Sequence, residues 1–124
     1  MIILKTVSRE VYELLEGFNA YMDELPLKDE KEQELNYLDN IYVTYSFKGA
    51  SDGSYKNVVD LEVQVITNKK NKFEAQEIAN LINNKLNKKK LTNARITKKN
   101  AWYVDFVDED DKENIILQYN LDKY

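Results

Sequence analysis

Neither cysteine nor histidine occurs in this 124-residue chain. The first absence excludes a disulfide scaffold, a thiolate nucleophile and any cysteine-ligated zinc or iron–sulfur centre. The second removes the commonest general base and the commonest transition-metal ligand. Glycine is scarce as well: Gly17, Gly49 and Gly53 match neither a P-loop nor a dinucleotide fingerprint. No stretch approaches the roughly 18 apolar residues of a membrane span. The opening MIILKTVSREVYELL meets Lys5 after three apolar residues and then carries Arg9, Glu10 and Glu13, unlike a secretory signal. These absences predict a soluble, intracellular protein that is not an enzyme, with no catalytic residue, metal, cofactor or membrane partner.

What is present suffices for one domain, residues 1–124. A chain of this length removes roughly two thirds of its unfolded surface from water, and its 43% hydrophobic content is enough for a single core, so disorder is not expected. The net charge of −4 argues against a surface that grips nucleic acid throughout, because neutralising phosphates takes clustered Lys and Arg.

Leu4, Val7, Val11, Leu14, Leu15 and Phe18 share one helical face, with Lys5, Arg9, Glu10, Glu13 and Glu16 largely opposite, so the chain opens with an amphipathic helix ending near Gly17 and Asn19. A polar connection follows, YMDELPLKDEKEQELNYLDN, broken by Pro26, the only proline. IYVTYSF then alternates, with Ile41, Val43, Tyr45 and Phe47 on one side. After the turn GASDGS, Val59, Leu61, Val63 and Val65 alternate with Asp60, Glu62 and Gln64, so the two strands form a hairpin whose wet face is acidic.

Beyond Ile66 the period lengthens. Asn71 and Glu74 are placed for a capping box, and Ala75, Ile78, Ala79, Ile82 and Leu86 make the stripe of a second helix. Lys85, Lys88, Lys89 and Lys90 collect where cations suit the helix dipole. The last third reads as further strands: ARIT, then WYVDFV with Trp102, Val104 and Phe106 inward, then NIILQYNL with Ile115, Leu117, Tyr119 and Leu121 inward. The expected fold is α+β: an antiparallel sheet of four to five strands with two helices packed on one face, in the order α-β-β-(β)-α-β-β.

Candidate sites are few. DEDDKE, Asp108 to Glu113, is the densest carboxylate run, but the sixth and twelfth places of an EF-hand loop would hold Glu113 and Tyr119 in place of glycine and glutamate, so it reads as a solvated turn. Asp60, Glu62 and Asp105 could pair for glycoside hydrolysis, yet alternating acids on an outer face are ordinarily solvated. Among nine tyrosines, Tyr42 and Tyr103 fall opposite the main apolar sets, where Tyr suits a protein interface. The interface candidates are therefore Tyr42, Asp60, Glu62, Tyr103 and Asp105.

Taken together, LKTVSREVYELL, YMDELP, the aromatic IYVTYSF, DLEVQVIT leading into FEAQEIANLINNKL, and WYVDFVDED with a closing strand resemble the tail terminator or tail completion (head-tail joining) proteins of long-tailed bacteriophages. The likeness spans nearly the whole chain and is one of element order. It implies a homo-oligomeric ring, a hexamer, that caps the tail tube and joins it to the head connector or head-closure protein. It further implies partners limited to other copies, the tail tube protein and the connector, with DNA only in passage through the lumen. The location implied is the host cytoplasm during assembly and the virion neck or tail thereafter. Such a ring works by surface complementarity and needs no nucleophile. The alternative is a small acidic inhibitor or DNA-mimic protein binding a basic partner, motivated by DEDDKE and the outward Asp60, Glu62 and Asp105.

Overall fold

In the computed structural model, which describes residues 4–28, 33–48, 58–99 and 104–123, helix α1 runs Leu4–Leu14. It stops at Gly17, whose φ of +89° is left-handed backbone that a side chain would strain. The apolar stripe of α1 turns inward as its spacing requires: Val7, Val11 and Leu15 are fully buried.

The chain then enters β1, Ala20–Met22, inside what the sequence presents as a polar connection. This short strand lies parallel to β2, Tyr42–Lys48, pairing Ala20 with Val43 and Met22 with Tyr45. The sheet is therefore mixed and six-stranded, not antiparallel with four to five strands. Too short to show a period of its own, β1 exists because β2 offers it an edge. β3, Val58–Asn68, pairs antiparallel with β2 and places Val59, Leu61, Val63 and Val65 in the core as expected.

A 3-10 turn, Lys69–Asn71, joins β3 to helix α2, Lys72–Leu86. The expected capping box is not formed. The Asn68 side chain caps the 3-10 turn by accepting from Lys70 N–H at 3.0 Å, while the Asn71 amide donates to the carbonyls of Tyr37 and Leu38. Asn71 thus spends its side chain on holding the 36–40 segment, a tertiary demand that outweighs the local cap. Ala75, Ala79, Ile82 and Leu86 fill the groove over the sheet, and the two small residues allow a close approach.

The remaining strands are β4, Ala94–Lys98; β5, Val104–Val107; and β6, Lys112–Lys123. The sheet order is β1-β2-β3-β6-β4, with β5 also on β6. β4 pairs with residues 119–123 of β6 and β5 with residues 113–116, so both occupy the same edge of β6, one after the other. The observed succession of helices and strands is α-β-β-β-α-β-β-β: an extra strand precedes β2, and the ARIT strand follows α2.

Among the described residues both helices contribute to an apolar cluster, which takes its sheet side chains from β2, β3, β4 and β6, Ile115, Leu117, Tyr119 and Leu121 among them. Each fully buried Val, Leu or Ile contributes about 1.5–3 kcal/mol of transfer free energy. The two-layer α+β body is held chiefly by that helix-covered face. No helix among the described residues is long and apolar enough to cross a membrane.

Candidate protein interface

On the open face, β3 presents Asp60, Glu62, Gln64 and Ile66. The expectation of an acidic wet face is not met there. Lys48 Nζ lies 2.7 Å from Glu62 Oε2 and Lys99 Nζ 3.3 Å from Asp60 Oδ2, while Arg95 stands opposite Asp122 in the β4–β6 register. Cations reach the acids of β3 from β2 and from just beyond the end of β4, which no reading along one strand reveals. The surface is an interleaved mosaic of both signs.

The other candidates separate. Tyr42 belongs to the open face by register but is only 5% exposed, because the segment 36–40 folds over it. The Asn36 backbone N–H donates to Tyr42 Oη at 3.0 Å, and Tyr37 packs edge-on at a centroid distance of 5.2 Å. Thr67 Oγ1 and the Asn71 amide hold the same segment through the carbonyls of Tyr37, Leu38 and Asn40. Tyr42 is thus a covered side chain and not a free surface. Tyr103, like Trp102 and the turn 49–54, lies outside the described residues.

Asp105 is on the helix side, not the open face. Its partner in register is the core residue Ile115, and its Oδ2 accepts from Gln76 Nε2 of α2 at 3.0 Å. The alternation is therefore reversed from the sequence expectation: Val104 and Phe106 face the open side and both are exposed, as is Val107 on the other side. Three strong apolar residues in a run of four made either register plausible from sequence. Only the pairing with β6 and the anchor on Gln76 select one.

DEDDKE forms the β5–β6 turn, organised by Asp108. Its carboxylate accepts from the backbone N–H groups of Asp110 and Lys112 and from Asn114 Nδ2 at 2.9 to 3.0 Å. The Asn114 hydrogen bond, followed by the backbone ones, holds the Asp108 carboxyl below the usual carboxylate range. Asn114 is itself buried and accepts from Gln64 Nε2 at 2.8 Å, tying the turn to the centre of the sheet. No group of three or more acidic side chains is disposed to hold a metal ion among the described residues.

Two features escaped the sequence reading. Glu113 is fully buried beside Thr67 on the helix side of the sheet, and neither carboxylate oxygen has a hydrogen-bond partner. Its parity with Ile115 and Leu117 is the signal that could have exposed it. At the opposite edge, Tyr12 and Met22 are about half exposed, and a groove of about 200 Å³ runs between the end of α1 and β1, lined by Tyr12, Glu16, Gly17 and Tyr21. Apolar surface at two sheet edges, joined to a mosaic open face, can recognise other protein surfaces. Compared with known proteins, the chain matches no protein-family model and no curated sequence.

Proposed function

We propose that the chain is a structural virion assembly protein, a tail terminator whose copies form a ring that caps the tail tube and joins it to the head connector. The observation that carries this reading is strand β5. All four of its residues are exposed, and Val104, Phe106 and Val107 put apolar side chains on both of its faces. An uncovered apolar edge strand invites pairing or aggregation, so its retention is understood if another subunit covers it. The element order supports the same reading: an amphipathic helix, an aromatic strand, a strand running straight into a second helix, and a long closing strand. In this proposal the work is done by outline and surface chemistry. DNA passes through the lumen, and the protein moves from host cytoplasm to the virion neck or tail.

The acidic-inhibitor alternative draws less support. Asp60 and Glu62 already meet lysines of the same chain and Asp105 faces α2, so the three acids do not form one negative surface. Incubation of the protein with tail tubes lacking a terminator, followed by electron microscopy and native mass measurement, tests the proposal. Ring density at one tube end is expected, together with loss of capping in Val104→Asp/Phe106→Asp. A chain that stays monomeric and leaves tube ends bare overturns it.

A further inference from the structure

Two segments of this chain each carry charge of a single sign. From Glu10 to Leu27 there are acidic residues at 10, 13, 16, 23 and 24 and no basic one, whereas from Lys85 to Lys99 there are basic residues at 85, 88, 89, 90, 95, 98 and 99 and no acidic one. The first segment ends α1 and builds β1, one edge of the sheet; the second ends α2 and builds β4, the opposite edge. The two segments also touch within the chain: the Glu10 carboxylate accepts from Thr92 N–H and Oγ1 at 3.1 to 3.3 Å, and Lys85 Nζ lies 5.1 Å from the centre of the Phe18 ring, while Lys99 pairs with Asp60 of β3. Glu13, Glu16, Asp23 and Glu24 are exposed at one edge, and Lys88, Lys89, Lys90 and Arg95 at the other. Arg95 stands opposite Asp122 in register; among the described residues no ion pair or side-chain hydrogen bond engages the other seven charged groups, which crowd like with like at a cost in self-repulsion.

The basic edge is closed to strand addition. Lys88 N–H donates to Ile96 O, Ile96 N–H to Lys89 O and Leu91 N–H to Ala94 O at 2.7 to 2.9 Å, so residues 88–91 cover the outer side of β4. What faces outward there is a strip of lysine side chains. The geometry points to a head-to-tail contact in which the acidic α1–β1 edge of one copy docks on the basic 88–95 strip of a second copy of this chain. Register adds an apolar component. One row crosses the sheet from Tyr21 through Thr44, Gln64 and Ile116 to Val104, so the half-exposed Tyr12 and Met22 beside Tyr21 lie level with the uncovered β5. Acid meets base and apolar meets apolar when one copy follows the next. Two different patches that meet in this way are heterologous, the kind of contact that closes into a ring after a fixed rotation.

This contact rests on the ring reading in requiring self-association, and charge reversal tests it separately. Glu16→Lys/Glu24→Lys makes both edges basic; Lys89→Glu/Lys90→Glu makes the second edge acidic. Each exposed pair leaves the fold intact by circular dichroism and thermal midpoint. Sedimentation velocity at low salt is expected to show wild-type association that weakens as salt screens it. Each variant alone associates at least about tenfold more weakly, and an equimolar mixture of the two recovers wild-type association. If wild type associates and the variants do so equally well, or the mixture fails to recover, the edge contact is wrong while the ring reading stands. A wild-type chain that is monomeric at every concentration, with tail tubes present or absent, overturns both.

Discussion

The two faces of the sheet grow from the same alternating strands and yet obey different rules. On the helix side nearly every inward position is apolar and fully buried, so Leu117 or Val63 is surrounded on all sides, and stability there scales with area and fit. On the open side the same strands carry Asp60, Glu62 and Gln64, which meet Lys99, Lys48 and the Asn114 amide reaching from other parts of the sheet. The exceptions are informative. Glu113 is a carboxyl group stranded in the dry layer, and Tyr42 is an aromatic that the wet side has to cover with a loop. A face is thus defined by what is laid over it as much as by the strand that builds it.

That contrast can be broken most forcefully at Leu117, wholly buried at the middle of β6. Leu117→Ala is expected to cost about 3 kcal/mol of unfolding free energy in urea titration, because the packed layer cannot collapse into the void. A loss below about 1 kcal/mol would mean that the helix layer is loosely packed. Next comes a change of opposite sign. Glu113→Leu should stabilise by about 2 kcal/mol, since it removes a buried carboxyl group that no hydrogen bond compensates. A drop in the thermal midpoint would reveal a partner for that group.

Smaller effects probe the loop that converts part of the open side into covered surface. Thr67→Val removes the hydroxyl that reaches the Tyr37 and Asn40 carbonyls and should cost about 1 kcal/mol. It should also raise amide exchange at Asn36 and Asn40, whereas unchanged exchange would show that Asn71 holds the segment alone. The smallest effect belongs to the mosaic. Lys48→Ala breaks the 2.7 Å pair with Glu62, but the lysine side chain is 59% exposed, so the expected change is within about 0.5 kcal/mol and vanishes in high salt. A larger loss would give the open face a structural weight that solvated pairs do not carry.

Residue spacing made α1, α2 and strands β2, β3 and β6 readable, because each is long enough to repeat its period: Val59, Leu61, Val63 and Val65 could face only one way. It failed where elements are short or patterns ambiguous. β1 has three residues and shows no alternation, and β5 reads equally well in either phase, so the inward side expected for Val104 and Phe106 is the wrong one. Of the five interface candidates, Asp60 and Glu62 are on the open face, each with a lysine; Tyr42 is covered; Asp105 is turned toward α2; and Tyr103 lies outside the described residues. Their chemistry was legible, but their neighbours were not.

By itself the sequence determined which chemistries have no cysteine or histidine to use, how much apolar surface had to be hidden, and which long segments would be helix or strand. These follow from composition and from periods of 3.6 and 2.0, which are properties of the local chain. Tertiary structure alone decided that β1 adds in parallel, that β4 and β5 share one edge, and that β1 and β4, with the charges they carry, lie at opposite edges of one sheet. Those outcomes depend on which backbone groups and side chains are brought together across long loops, and a hydrogen bond or an ion pair between such segments leaves no period to read.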